Sequence, residues 1–173
     1  ILMFQHLLPL NPDGIPGMSW DLALHTMVSF LTNTNQQHYS GQAQLSYLAQ
    51  MTGIVTLQML TPVFALCILV AMLRALFGGR NAATAAEGEA RDVGNYWVDL
   101  TRATLRIMLP LALVWSLLLA SQGVPATFSA GPEATPIDQS AGLATQKIPL
   151  GPVAPMVAIK QLGSNGGGWY GPN

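Results

Sequence analysis

Two short polar turns contain the residues of this chain whose types and spacing could bind an ion. Each turn ends a moderately apolar segment, the first at residues 32–35 and the second at residues 164–168. Backbone carbonyls and hydroxyls in such turns can replace the hydration shell of a monovalent cation. The two turns are therefore a candidate cation filter made of Thr32, Asn33, Thr34, Asn35, Ser164, Asn165, Gly166, Gly167 and Gly168.

The residue types in the turns suit that role. Three consecutive glycines at 166–168 permit positive φ, so that successive carbonyls can face one axis. Thr32, Thr34 and Ser164 would add hydroxyl oxygens, and the asparagines can brace a loop or adopt left-handed conformations. Neither turn contains Asp or Glu, which argues against a divalent-cation site built from carboxylates.

The two turns follow similar segments, Ser19 to Asn35 and Pro152 to Gly168. Superposing Thr32-Asn33 on Ser164-Asn165 predicts a repeat in which Asn165 is the counterpart of Asn33. Each segment predicts a helix too short to cross a membrane, the first with Ser19 as its N-cap. A half-length helix would point its partially negative C-terminal end at the following turn and favour a cation there.

Other chemistries find little support in the sequence. A phosphate-binding loop requires Lys followed by Ser or Thr after its glycines, whereas Trp169-Tyr170 follow here. The three histidines lack metal-ligand spacing, so we predict no transition-metal site, and no catalytic residues are assigned. The single Cys67 excludes an internal disulfide. A net charge of −1 argues against a nucleic-acid partner.

The composition is typical of a membrane protein. Half of the residues are hydrophobic and 9% are charged, against roughly 25% charged in an average soluble domain. Gly53 to Leu73 and Ile107 to Thr127 are two uncharged stretches of equal length. As helices they would each extend about 31 Å, the thickness of the hydrocarbon core of a bilayer.

The charge distribution predicts the topology. Five of the seven basic residues lie between the two spans or at their ends, which places that loop in the cytoplasm and both polar turns outside. The predicted order is the end of a truncated transmembrane helix at 1–10, a pore helix and first filter loop at 19–35, a transmembrane helix at 53–77, a cytoplasmic loop at 78–104, a transmembrane helix at 105–122, an external loop at 123–150, and a pore helix and second filter loop at 152–168.

Several stretches, in order and with matching spacing, closely resemble one family, the channel-like A subunit of the Kdp potassium-transporting ATPase. They are LPLNP at residues 8–12, GMSWDLALHTMVSFLTNTNQQHYSGQAQLSYLAQM, DLTRATLRIMLPLALVWSLLLASQGVPATF and LGPVAPMVAIKQLGSNGGGWYGPN. The resemblance covers nearly the whole chain. It implies that residues 32–35 and 164–168 are the first and second filter segments, with Ser164 where a Thr is common.

The resemblance also implies a fold. The chain would be part of an all-α membrane protein built from helix, pore-loop, helix repeats, similar to the Trk, Ktr and HKT potassium transporters of the potassium-channel-like superfamily. Four such repeats surround one ion path in that superfamily, and this chain would carry the first two pore loops. By that implication the 173 residues alone should not conduct.

The implied function is that of a potassium-binding and translocating subunit in an ATP-driven, high-affinity potassium uptake complex. K⁺ would be the transported ion, whereas ATP would be used by a P-type ATPase catalytic subunit and not bound here. Two small membrane subunits and the lipid bilayer would be the other partners. The location would be the inner (plasma) membrane of a bacterium or archaeon, crossed several times.

Two alternatives remain open at the level of sequence. An autonomous Trk/Ktr-like cation channel subunit would transport without an ATPase partner. A non-conducting membrane assembly protein would use its glycine-rich turns only for contacts, so that a bulkier residue at Gly167 would leave ion discrimination unchanged.

Overall fold

The structure of the protein is a computed structural model that describes residues 1–34, 36–77, 93–140, 142–164 and 166–170. These parts of the chain are mostly helical. The α-helices are α1 (Trp20–Leu31), α2 (Gly41–Gln44), α3 (Val55–Phe77), α4 (Tyr96–Ala103), α5 (Leu109–Ser121) and α6 (Val153–Leu162).

Two long continuous helices form the frame of the molecule. The first long helix, Ala49–Phe77, joins a π-helical turn at Ala49–Ile54 to α3, and the second, Tyr96–Ser121, joins α4 to α5 through another at Thr104–Met108. Both are long and apolar enough to cross a membrane by length and composition. Outward-facing Leu, Ile and Val side chains cover much of their surface, as expected where lipid rather than water is the solvent.

The second long helix begins earlier than the sequence predicts. Residues 96–104 belong to the predicted cytoplasmic loop, because Asp99 and Arg102 make this segment polar, yet they form a helix. The side chain of Asn95 accepts hydrogen bonds from the backbone N–H groups of Trp97 (3.0 Å) and Val98 (3.2 Å), which caps that helix. The rest of the predicted loop, residues 78–92, lies outside the described residues.

An ion pair ties the two long helices together next to this cap. The guanidinium of Arg74, in the last turn of α3, donates to both carboxylate oxygens of Asp99 in the first turn of α4. Deeper between the helices, Val63 and Cys67 of α3 pack with Ala103 of α4 in a buried cluster. The two helices are thus held together by both apolar and charged contacts.

The N-terminal segment forms a 3₁₀ helix, Leu2–Leu7, where the sequence predicts the end of a transmembrane α-helix. Its fully buried Gln5 donates to the carbonyls of Pro16 (2.7 Å) and Gln44 (2.8 Å) and accepts from the N–H of Ser46 (2.9 Å). These bonds leave no polar atom of the buried amide without a partner. Membership of this segment in a longer spanning helix stays a prediction.

The predicted external loop contains a small exception to the all-helical class. Strands β1 (Glu133–Ala134) and β2 (Gln146–Lys147) pair antiparallel, with Glu133 opposite Lys147. The Lys147 ammonium also lies 2.6 Å from the carboxylate of Asp13, whose side chain is 6% exposed. This pair fastens the hairpin to the segment that precedes α1.

The two short helices lie against the long ones. Helix α6 packs along α5 and also contacts α3, and α1 contacts α3. Around α1 the core includes Leu2, Ala23, Phe30 and Ile54, and around α6 it includes Tyr47, Val55, Met156 and Trp169. The polar turns that follow α1 and α6 are therefore positioned by a common helix, α3.

Candidate ion-binding turns

The first polar turn is closed by a pair of backbone hydrogen bonds at the end of α1. The N–H of Thr34 donates to the carbonyl of Ser29 (2.9 Å) and that of Asn33 to Phe30 (3.3 Å). This is the Schellman pattern, which requires a left-handed residue after the C-cap. Asn33 has φ +59° and takes that position, in agreement with the tolerance of asparagine for this conformation.

The second turn also has a left-handed residue after its C-cap, but the bond that closes it spans one residue more than in the first turn. After the C-cap Gly163, Ser164 is left-handed with φ +69°, and the N–H of Gly166 donates to the carbonyl of Lys160 (3.2 Å). Gly166 and Gly167 have φ values of +70° and +90°, which glycine adopts without strain. Both glycines thus have the positive φ values that the sequence predicts.

By helix end and left-handed residue, Asn33 corresponds to Ser164, one residue before its predicted counterpart Asn165. Leu31 and Leu162 are the last helical residues, and the left-handed residue follows two positions later in each turn. The prediction matched residue types, Thr-Asn with Ser-Asn. Backbone conformation gives the other match, because the helix end decides which residue must be left-handed.

Both turns rest on the same stretch of α3. Thr61 Oγ1 lies 3.0 Å from Asn33 Oδ1, which joins the first turn to α3. About one helical turn earlier, the carbonyl of Gln58 lies so close to Gly163 that a Cβ there would be 2.5 Å from its oxygen. Gln58 and Thr61 are 1% and 6% exposed, so both contacts are inside the protein.

The predicted site residues differ in what their oxygens contact. The hydroxyl of Thr32 donates back to the carbonyl of Val28 (2.9 Å) and lies 3.1 Å from that of Thr34. The carbonyls of Gly167 and Gly168 accept from side chains of α6. Asn35 and Asn165 lie outside the described residues.

The last turn of each short helix supplies contacts that the sequence did not predict. Lys160 Nζ donates to the Gly168 carbonyl (2.9 Å) and Gln161 Nε2 to the Gly167 carbonyl (2.8 Å). On α1, Ser29 Oγ donates to the Gln36 carbonyl (3.0 Å). The available sequence signal was a polar residue near the end of an otherwise apolar helix. In the structure both residues face inward, since Ser29 and Lys160 are 6% and 9% exposed.

Aromatic residues anchor the chain after the second turn. Trp169 is 5% exposed and packs against Tyr47 with ring centroids 6.2 Å apart. The Tyr47 hydroxyl lies 2.9 Å from the carbonyls of Ser129 and Leu150, which precede α6. Burial, with the nearby charge of Asp13, raises the pKa of Tyr47 to about 12, so the phenol keeps the proton that it donates.

The first turn is open on its other side. A groove of about 520 Å³ runs along α1 from Trp20 and Asp21 to Thr32 and Thr34. Within the described ranges no group of three or more His, Cys, Asp or Glu side chains could hold a metal ion. The two turns contain no Asp or Glu and offer a cation neutral carbonyl and hydroxyl oxygens, whereas Asp21, which also lines the groove, lies in the first turn of α1.

Comparisons with known proteins agree on one family. All 173 residues match the family described as "KdpA: Potassium-transporting ATPase A subunit". The chain is 49% identical over its whole length to a protein of Pseudomonas aeruginosa and 46% identical to one of Leptospira interrogans. Both relatives are named "Potassium-transporting ATPase potassium-binding subunit".

The chain is much shorter than these relatives. It spans 28% of the length of the Pseudomonas aeruginosa protein and 29% of that of Leptospira interrogans. The similarity nevertheless extends over every part of the chain, including both polar turns and both long helices. The chain therefore belongs to the family of the potassium-transporting ATPase A subunit.

Proposed function

We propose that this chain forms part of the potassium-binding and translocating subunit of an ATP-driven, high-affinity potassium uptake complex. Its two polar turns would be the first two segments of a filter that selects external K⁺ through neutral oxygens. The observation that carries the proposal is the duplicated geometry: each short helix ends in a left-handed residue, and both turns contact one stretch of α3.

The chemistry of the turns supports K⁺ over the other ligand classes. A monovalent cation needs several oxygens at once to offset its dehydration, and carbonyls supply them without the charge that would hold a divalent ion. The C-terminal ends of α1 and α6 add partial negative charge at the turns. We assign the ion-contacting role to residues 32–35 and 164–168, which belong to two helix, pore-loop, helix repeats.

The subunit would bind the ion without catalysing ATP hydrolysis. The relatives' name couples a potassium-binding subunit to an ATPase, and we propose that ATP is hydrolysed by a separate P-type ATPase subunit. Two small membrane subunits would complete the complex in the inner membrane of a bacterium or archaeon. By the positive-inside rule, Arg74 and Arg102 favour a cytoplasmic location for the helix ends near the Arg74–Asp99 pair, with both turns outside.

Potassium uptake at micromolar external K⁺ tests this proposal. The longer gene and its ATPase partner genes would be expressed in cells that lack their own high-affinity system. Gly167→Ala forces an alanine into φ +90°, and Gly142→Ala is the matched control, at φ +72° in the external loop with open space around it. We expect the first variant to lose K⁺ affinity or discrimination against Na⁺ and the second to behave as wild type.

The other outcomes separate the alternatives. Uptake that persists without the ATPase partner would indicate an autonomous channel. Normal uptake and discrimination in Gly167→Ala would move the ion site away from the second turn. An assembled wild-type complex that takes up no K⁺ would refute the transport function and favour an assembly role.

A further inference from the structure

Equivalent positions on the two short helices carry side chains that hold the chain beyond each turn. When Asn33 is superposed on Ser164, Ser29 corresponds to Lys160, since each lies two positions before the last helical residue. Ser29 donates to the Gln36 carbonyl and Lys160 to the Gly168 carbonyl. The backbone carbonyls of the same two residues accept from the N–H groups that close the turns. Each position thus contacts its turn twice.

The two donors are inside the protein, where a hydrogen bond is strong and its loss is costly. Ser29 is 6% exposed and Lys160 9% exposed. Burial lowers the pKa of Lys160 to about 8, so at neutral pH most of the lysine is an ammonium, whose bond to a neutral carbonyl is stronger than one between neutral groups. Among the described contacts of Lys160 there is no carboxylate, so the ammonium is held at the turn by dipoles.

We propose that Ser29 and Lys160 are positioning residues that fix the shape of the two polar turns, with Gln161 as a second donor on α6. This inference rests on the proposed function of the turns. The bonds from Lys160 and Gln161 turn the carbonyls of Gly168 and Gly167 toward α6. The charge of the ammonium would by itself weaken cation binding at the Gly168 oxygen, an effect opposite in sign to that of positioning the turn.

Lys160→Met gives the sharpest test, because it keeps the length of the side chain and removes both the charge and the donor. In the complete complex we expect the KM for K⁺ to rise about tenfold or more, the loss typical of a hydrogen bond to a charged group. The maximal rate should change less, and discrimination between K⁺ and Rb⁺ should weaken. Lys160→Arg keeps charge and donors and should restore much of the affinity.

A decrease in the KM for K⁺ in Lys160→Met would overturn the inference. If Lys160 acted only by repelling the ion, its removal would lower the KM, and an unchanged KM and ion preference would refute any positioning role. Arg106→Met is the control for total charge, since Arg106 lies exposed on the second long helix. The expected result for this control is wild-type KM.

Two further variants keep the test decisive if Lys160→Met fails to assemble. Ser29→Ala should raise the KM about tenfold, whereas Ser121→Ala, at the end of α5, should not. Gln161→Leu alters an exposed side chain and should weaken ion preference, against Gln122→Leu as its control. Wild-type behaviour in both Ser29→Ala and Gln161→Leu would refute the inference.

These outcomes are distinct from failure of the proposed function. If the turns do not bind K⁺, Gly167→Ala and Lys160→Met both leave uptake unchanged. If only the positioning role is wrong, Gly167→Ala impairs uptake while Lys160→Met does not.

Discussion

Gly163, the C-cap of α6, lies against the backbone of α3. Its φ of −71° is open to any amino acid, so glycine is needed here for space and not for conformation. A Cβ would lie 2.5 Å from the Gln58 carbonyl oxygen and 3.1 Å from that of Ile159. Neither backbone atom can move without shifting a helix, so the second turn depends on the absence of a side chain here.

We predict that Gly163→Ala destabilises the full-length subunit by about 1–3 kcal/mol, the usual cost of overpacking a well-packed site. Displacement of α6 should also reduce K⁺ affinity. Thermal unfolding of the purified complex and uptake kinetics would measure the two effects. Gly53→Ala is the matched control, since a Cβ there meets nothing within 4 Å. Equal stability of the two variants would contradict the close approach of the helices.

At the scale of residues, the sequence predicted backbone conformation better than contacts. The left-handed Asn33 and the positive φ values of Gly166 and Gly167 follow from residue type. The bonds from Lys160 and Gln161 could not be predicted, because they depend on the chain folding back past the end of α6. The left-handed residues match one position earlier than the predicted alignment of the turns, since composition does not mark where a helix ends.

The helical elements are joined at one end of the molecule by the pair between Arg74 and Asp99. Their side chains are 38% and 17% exposed, so solvent screens part of the attraction. The pair also fixes the start of the second long helix next to the Asn95 cap. The ion pair therefore makes a modest contribution to stability at the junction of α3 and α4.

A double-mutant cycle would measure that coupling. We expect the effects of Arg74→Met and Asp99→Asn on thermal unfolding to be weakly non-additive, as is usual for partly exposed ion pairs. Raising the salt concentration should reduce the coupling. Additive effects of the two substitutions would mean that the pair contributes nothing to the joining of the helices.

At the scale of elements, the length of the apolar stretches predicted the two long helices. The charged residues at the start of the second helix led that part to be predicted as a loop. Residues 53–77 and 105–122 correspond to the helices Ala49–Phe77 and Tyr96–Ser121, apart from Gln122 at the C-cap. The start at Tyr96 was missed because polar residues near a membrane surface look the same in a helix and in a loop. Only the capping contact of Asn95 distinguishes them.

The whole molecule presents two turns on one supporting helix. We predict that the 173 residues expressed alone, although inserted in the membrane, give no K⁺ uptake, because two turns cannot surround an ion. The longer gene with its ATPase partners should restore uptake in the same cells. Uptake by the shorter chain alone would contradict the proposal that the two turns are only part of the filter.

The family was predicted from the sequence and is confirmed by the match over residues 1–173. Motifs such as the two polar turns depend on local residue order, so a single sequence reveals them. The common support at Gln58 and Thr61 was not predicted, because contacts between distant segments leave no local pattern in one sequence.

The bonds of Gln5 imply an order of assembly during synthesis. All three of its partners, Pro16, Gln44 and Ser46, precede α3. These hydrogen bonds can therefore form well before the rest of the chain has left the ribosome. The second turn, in contrast, cannot dock until α6 has been made and returns to Gln58. The first candidate ion-binding turn, which also contacts Thr61 of α3, could thus form before the second, which would dock on a helix already in place.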